Sequence, residues 1–358
     1  MLLDCLAVRA CPAVVCQVGR LSGPLWTESF GRLTYDSLAP EATVATIFDL
    51  ASLTKVISTS SVAMAMVQDG RLSLDTPVSQ VLEGWRGFDQ EHDRESVTVR
   101  HLLEHSSGLP AHVPLWERLV GRNAFLNALA AVPLERPPGG RAVYSDVGFL
   151  LLGFVLEHVA GRPLDVLWND VWSDTCGGRA SLPDLVYSPG PELRERIAPT
   201  ELVASRRGAG RVLQGAVHDE NAAALGGVAP HAGLFGTAGA VGLFASAVLR
   251  SFTETPSTEA RPMATQAVMR QFAQRSVVPG SSRALGWDTM LPTSSCGARL
   301  SASAIGHTGF TGTSLWVDWE RDLYVVLLTN RVHPTRDNER FLPFRARFHD
   351  AVMEDLGI

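Results

Sequence analysis

Lysine is nearly absent from this 358-residue chain: of 31 basic side chains, 30 are arginine and Lys55 alone is lysine. An arginine cannot lose its proton inside a protein, whereas a desolvated lysine can be neutral near pH 7 and serve as a base. The one retained ammonium therefore calls for a chemical reason. Cysteine is scarce as well. Its five copies, Cys5, Cys11, Cys16, Cys176 and Cys296, are odd in number and lack a Cys-x-x-Cys spacing, which argues against a disulfide framework or a structural zinc site. No stretch approaches the roughly 20 apolar residues of a membrane-spanning helix, so no membrane span is expected. The start carries Asp4 and Arg9 where an export signal needs an apolar run, so a chain beginning at Met1 is expected in the cytoplasm. With a net charge of -6 and no basic run beyond Arg206-Arg207, nothing tracks phosphates, and nucleic acid is not an expected partner. A Gly-x-Ser-x-Gly elbow is also missing, which excludes an ordinary lipase-like α/β-hydrolase.

What is present is ample apolar material, 46% of the chain, enough to bury a large core. Ala13 to Val18 and Leu25 to Phe30 are strand-like runs around the turn chemistry of residues 20–24, and read as a hairpin. An extended approach leads to Ser52. A helix then runs to Asp69, carries no charge between Lys55 and Asp69, and so belongs in the interior. Asp75 to about Leu134 is helical in pattern, with loops at Gly84 to Asp93 and Ser106 to Pro114. Pro133 to Gly140 is a linker into Tyr144-Ser145-Asp146 and an apolar helix from Val147 to Val159. Residues 173–230 show no clear periodicity and read as mostly irregular. Thr237 caps a helix to about Phe252. Ala284 to Met290, Ser303 to Thr308, Thr313 to Trp319 and Leu323 to Thr329 read as strands, and Phe341 to Leu356 as a last helix. Strands at both ends around a helical middle predict an α+β protein, an antiparallel sheet flanked by helices with a largely helical insertion. The expected organisation is one catalytic domain over 1–358, with an α/β part (about 1–74 and 240–358) and a mainly helical part (about 75–239).

Ser52 precedes Lys55 by three residues, so a helix places both on one face. A serine hydroxyl is a poor nucleophile until a neighbour takes its proton, and a neutral lysine one turn away does so. Burial near a helix N-terminus disfavours the ammonium and predicts that neutral form. Tyr144 stands at a loop-to-helix junction, where a tyrosine beside a cation relays a proton; the alternative is a packing tyrosine next to a helix cap. Gly306-His307-Thr308-Gly309 ends a strand, where small residues let a backbone N–H face an oxyanion or simply end the strand in a turn. His101 and His105 at i and i+4, and the group His218, Asp219 and His231, are the possible metal clusters. The first lacks the glutamate of a zinc-protease helix, and the second is better read as a cleft-bordering loop ordered by hydrogen bonds, so no metal or cofactor is expected.

Together these elements resemble the serine β-lactamase and penicillin-binding-protein superfamily, most nearly its class C β-lactamase and esterase branch. The likeness extends through Phe48 to Lys55, Leu102 to Pro110, Pro137-Pro138-Gly139, Tyr144 to Asp146 with Leu151-Leu152-Gly153, and His231 to Ala238, in family order. Residues 217–233 are similar to a branch described as D-alanyl-D-alanine carboxypeptidases. The resemblance implies a β-lactamase/transpeptidase-like fold and a serine hydrolase acting on an ester or amide. It casts Ser52 as the acylated nucleophile, Lys55 as its base and Tyr144 as the leaving-group acid. Asp146, His307, Thr308, Gly309 and Phe310 would bind the substrate, with the N–H groups of Ser52 and Phe310 as oxyanion hole. Two positions depart from the family pattern. Asp146 stands where asparagine is usual, a charge that would raise the lysine pKa, and His307 stands where lysine often pairs with a substrate carboxylate. A small-molecule or peptide substrate is therefore expected. A β-lactamase and a non-catalytic penicillin-binding or sensor module are the alternatives, and the oligomeric state is left open.

Overall fold

The computed structural model describes residues 1–86, 91–178, 184–205, 208–253 and 260–358; Arg206-Arg207 lie outside them. The first hairpin forms as the pattern predicts, with β1 (Ala13–Arg20) and β2 (Gly23–Gly31). A short β3 (Phe48–Asp49) follows, then β4 (Leu185–Tyr187), β5 (Leu202–Ser205), β6 (Gly208–Val212) and β7 (Leu234–Gly236). The C-terminal third supplies β8 (Asp288–Thr289), β9 (Ile305–Thr308), β10 (Ser314–Asp318) and β11 (Leu323–Thr329). The main sheet is antiparallel in the order β2-β1-β11-β10-β9-β8, which brings the two ends of the chain together at β1 and β11. β3, β7 and β4 make a small second sheet, and β5 and β6 a ribbon.

The inner strands β1, β10 and β11 are buried on both faces, which explains their nearly continuous apolar sequence, whereas the edge strand β2 is largely exposed. On β1, Ala13 and Val15 enter the larger core cluster while Val14, Cys16 and Val18 enter a second one. β11 alternates likewise, with Tyr324, Val326 and Leu328 to one side and Leu323, Val325 and Leu327 to the other. All five cysteines are free and buried.

Among the helices, α1 (Leu2–Ala7) is followed by a π turn (Lys55–Thr59) that runs directly into α2 (Ser60–Gln68). The helical middle contains α3 (Val78–Val81), α4 (Glu91–Glu95), α5 (Val99–Leu103), α6 (Arg122–Ala131), α7 (Asp146–Ala160), α8 (Leu164–Thr175) and α9 (Glu220–Ala224). Then come α10 (Ala238–Thr253), α11 (Gln266–Ala273) and α12 (Leu342–Asp355). Helix α7 is apolar all round and buried from Val147 to Leu156; Ser145 caps it by accepting the Gly148 N–H, and left-handed Gly161 ends it. Helix α10 lies across β1, β10 and β11, and Thr237 accepts the Ala240 N–H at its start. No single helix among the described residues is long and apolar enough to cross a membrane.

Three expectations need correction. Ala284 to Met290 is not a continuous strand: Gly286 takes φ +86° and presses against α2, where a Cβ would stand 1.9 Å from Ser60 Oγ, so only Asp288–Thr289 joins the sheet. Residues 173–230 contain β4, β5, β6 and α9, elements too short to show periodicity. The stretch of residues 84–93 is not simply a loop, because a 3₁₀ turn (Glu83–Arg86) and α4 occupy its described parts.

His349 of α12 is fully buried, 3.1 Å from Ser314 Oγ, and burial, with a smaller push from Arg345, drives its pKa down to about 3. Its unfolded value is near 6.5. Its neutral burial is therefore fully stabilising above about pH 6.5, and the benefit is lost as pH falls from there toward the folded value, at about 1.4 kcal/mol per pH unit. In urea titrations, the drop in unfolding free energy between pH 7 and pH 5 is expected to shrink by roughly 2 kcal/mol in His349→Gln. An unchanged drop would contradict the assignment.

Candidate active site

The site forms where β3 turns into the π turn. Ala51 adopts φ +48°, a conformation costing a non-glycine residue about 1 kcal/mol, and this sharp turn presents Ser52. Asp49 holds it in place. One carboxylate oxygen accepts the Ala51 N–H at 2.9 Å and the other the His218 N–H at 2.7 Å. Burial pushes the Asp49 carboxyl up from its ordinary value, against these two hydrogen bonds.

Lys55 has no exposed surface, and its ammonium meets three acceptors. Ser52 Oγ lies 3.0 Å away, the His231 carbonyl 3.1 Å and Asp146 Oδ1 2.7 Å. Three acceptors match the three N–H donors of an ammonium, one more than a neutral amine offers. The Tyr144 and Phe149 rings pack beneath the charge at 4.8 and 5.6 Å. Burial alone would lower the lysine pKa, but Asp146, with Tyr144, more than offsets it and holds the amine above its ordinary value. The expected neutral resting lysine is thus corrected: a carboxylate in contact outweighs desolvation.

Tyr144 is half-buried, and its hydroxyl interacts with both Lys55 and Ser52; desolvation raises its pKa, against the pull of Lys55, so the phenol keeps its proton. Its ring lies 4.7 Å from that of His105 and 5.7 Å from that of His307, with the Arg283 guanidinium 5.0 Å from its centre. His307 directs Nδ1 at the Thr308 carbonyl, 2.8 Å away. Burial first, then Arg283 and Lys55, hold it well below the usual histidine range, so it is neutral at pH 7 and offers no cation to a carboxylate.

The turn after β9 lies against the nucleophile. Gly309 allows this approach, because a Cβ there would stand 2.5 Å from the Leu50 carbonyl. The Thr311 hydroxyl donates to the Asp49 carbonyl at 2.7 Å and that of Thr313 to the Leu50 carbonyl at 3.0 Å. Arg345 and Arg331 bind the carbonyls of Gly309 and Phe310 at 3.0 and 2.9 Å. Among the described residues, neither the Ser52 nor the Phe310 N–H has an acceptor within the protein. The structure brings Ser52, Lys55, Tyr144, Asp146 and the His307 to Phe310 turn into one site.

His105, Arg283, Asp49, Thr311 and Thr313 were not read from the sequence as site residues. His105 belongs to the Leu102 to Pro110 segment, and the sequence offers it only as a possible metal ligand. Its Nδ1 accepts the Ser145 N–H at 3.0 Å, while that of His101 accepts the Thr98 N–H, so both rings hold helix ends. The His218, Asp219 and His231 group separates into pairs: His218 with Glu201 at 3.0 Å, and His231 with Asp219 at 2.9 Å. These bonds order the loop that supplies the His231 carbonyl to Lys55. Burial opposes ionisation of Asp219, but His231 outweighs it and holds the carboxyl below its ordinary value.

Comparison with known proteins gives the family and the fold. Residues 23–346 match the model of the family described as Beta-lactamase. An Escherichia coli K12 protein named "Putative D-alanyl-D-alanine carboxypeptidase" is 29% identical over 328 residues, 84% of this chain and 73% of its own. A Bacillus subtilis 168 protein named N-acetylmuramyl-L-alanine amidase is 30% identical over 329 residues, 82% of this chain and 70% of its own. Among solved structures, a hydrolase with promiscuous acyltransferase activity superposes with a TM-score of 0.72 at 20% identity, covering 96% of each chain. An octameric penicillin-binding protein homologue from Pyrococcus abyssi also gives 0.72 at 20% identity, covering 99% of this chain and 76% of its own. The fold is β-lactamase/transpeptidase-like, and the chain belongs to the beta-lactamase family of serine hydrolases.

Proposed function

We propose that this protein hydrolyses an ester or amide through an acyl-enzyme on Ser52. The observation that carries the proposal is the 3.0 Å contact between Lys55 Nζ and Ser52 Oγ, beside two unpartnered backbone N–H groups. Ser52 Oγ attacks the substrate carbonyl, and the N–H groups of Ser52 and Phe310 receive the oxyanion. One such donor is worth about 10²–10³ in rate. Lys55 takes the Ser52 proton, and Tyr144, protonated at rest, gives its own to the leaving group as the carbonyl–leaving-group bond breaks. Water, activated by Tyr144, then releases the acyl group. Asp146 and the His307 to Phe310 turn line the substrate's seat.

Two observations bear on the substrate. A neutral His307 favours an ester or amide without a carboxylate at that position. Arg283 favours the second reading, a carboxypeptidase: its guanidinium sits over Tyr144, and its nearest carboxylate contact, Asp288, is 3.9 Å away. The name of the Escherichia coli relative above favours it as well.

Intact-protein mass spectrometry after exposure to a fluorophosphonate and, separately, a fluorescent penicillin separates the readings. Labelling by the fluorophosphonate alone, lost in Ser52→Ala, supports an esterase; labelling by both supports the carboxypeptidase or lactamase; labelling by neither favours the sensor module. Lys55→Arg, which keeps the charge but cannot release a proton, is expected to slow acylation by about 10³-fold or more with circular dichroism unchanged; retained activity would remove Lys55 as base. Tyr144→Phe should lower kcat by about 10²-fold with binding largely kept, and an unaltered kcat would remove Tyr144 from the mechanism. Gly309→Ala forces the oxyanion turn off Leu50 and is expected to cost about 10²-fold in kcat; wild-type turnover would show that the Phe310 N–H is not used.

A further inference from the structure

An ammonium that already holds three protons cannot take a fourth from Ser52. Lys55 has to release one of its own, and three acceptors surround its Nζ: Ser52 Oγ and the His231 carbonyl through hydrogen bonds, and Asp146 Oδ1 as an ion pair. Ser52 Oγ is a hydroxyl and the His231 carbonyl an amide, neither of which binds a proton near neutral pH. Asp146 Oδ1, the nearest of the three at 2.7 Å, belongs to a carboxylate. No other donor reaches that oxygen among the described residues, and it is buried. The second oxygen, Oδ2, lies 4.0 Å from Nδ1 of half-exposed His112, so the side chain keeps 20% of its surface open to the cleft.

We propose that Asp146 is the proton acceptor that frees Lys55 to act as the base. The inference rests on the acyl-enzyme reading above. A substrate lying across the cleft covers the remaining surface of Asp146 and removes the water that favours the charged pair. Amine and carboxyl groups in water differ by about 6.5 pH units in proton affinity, and desolvation moves each toward the other by up to about 3–5. A closed site therefore brings the ion pair and the neutral pair within reach of each other.

The protons balance. One moves from Lys55 to Asp146, leaving an amine and a carboxylic acid. The Ser52 proton moves to the amine as Oγ bonds to the carbonyl carbon. Tyr144 gives its proton to the leaving group and regains one from the deacylating water; the Lys55 ammonium returns its proton to Ser52 Oγ as the acyl group leaves, and Asp146 returns its own to Lys55. The net result is one water split between the leaving group and the acyl group, with every residue restored. Other titratable and charged groups face the pair: Tyr144 from the start of α7, His105 and His112 from the segment after α5, and Asp219 with His231 from the loop around α9. His307 of β9 and Arg283 complete the surround. Tyr144 holds its own proton, and the neighbouring histidines aim at other partners or carry no contact to Nζ.

Two roles for Asp146 predict opposite pH behaviour. As proton acceptor, it makes the reactive form and the resting ion pair contain the same number of protons, so activity holds down to the carboxylate range. Asp146→Asn then has to lose a proton from Lys55 outright, and the acid limb moves up by about two pH units. If Asp146 only raised the lysine pKa, removing it would move that limb down. The measurement is the rate of Ser52 labelling by a fluorophosphonate from pH 4 to pH 10, wild type against Asp146→Asn. An upward shift supports the proposal, and a downward shift or none overturns it. In Asp146→Ala, added formate should restore the labelling rate at pH 6 by about tenfold, while Lys55→Ala gains nothing. If Asp146→Asn does not fold, formate rescue decides alone, and its absence in folded Asp146→Ala overturns the proposal. Wild-type protein that is not labelled at Ser52 at any pH refutes the acyl-enzyme reading, and the proposal falls with it.

Discussion

A lysine ammonium with no exposed surface is the constraint around which this structure is arranged. Removing a charge from water costs several kcal/mol even after relaxation, and a counter-charge repays it only when the remaining protons are also satisfied. Here three segments remote from one another in the chain meet that demand together. The Ser52 turn supplies a hydroxyl, the start of α7 a carboxylate and the loop after α9 a carbonyl. Each segment is pinned in its turn: Ser145 caps α7, the Thr59 hydroxyl donates to the Pro230 carbonyl at 2.7 Å, and Asp219 pairs with His231. The charge is therefore held by groups that are themselves held.

The oxyanion side depends on a second, smaller cost. Ala51 is strained by about 1 kcal/mol, and that strain persists because Asp49 binds the Ala51 N–H on one side and the His218 N–H on the other. Thr311 and Thr313 then fasten the β9–β10 turn to the same two residues that precede Ala51. The large sheet contributes rigidity rather than chemistry. Buried within it, β9 and β10 carry their connecting turn to a defined place, and Gly309 lets it close on Leu50.

Much of this architecture was legible in the sequence because the relevant forces are local. The β1–β2 hairpin follows from apolar runs around a turn, α7 from an apolar segment after a Pro/Gly linker, and β10 and β11 from two apolar runs close together in the chain. Errors came where tertiary contact overrides local pattern. The stretch from Ala284 to Met290 has a strand's composition, but Gly286 bends it onto α2. The strands β4 to β6 are too short for any period to show, and their pairing partners decide them. Arg283 and His105 acquired their places beside Tyr144 only through folding, for no spacing in the chain links either of them to it.

By itself, the sequence determined the chemical identities: one lysine in a chain of arginines, a serine one turn before it, a tyrosine at a helix junction and a glycine-bounded turn after a strand. The period of the hydrophobic pattern and the chemistry of caps and turns are properties of neighbouring residues, so they can be read without coordinates. The tertiary structure alone decided the charge state of that lysine. Burial and Asp146 pull its pKa in opposite directions, and which prevails depends on a 2.7 Å separation between residues far apart in the chain. Coulomb energy varies steeply with distance and local dielectric, and neither quantity exists until the chain has folded.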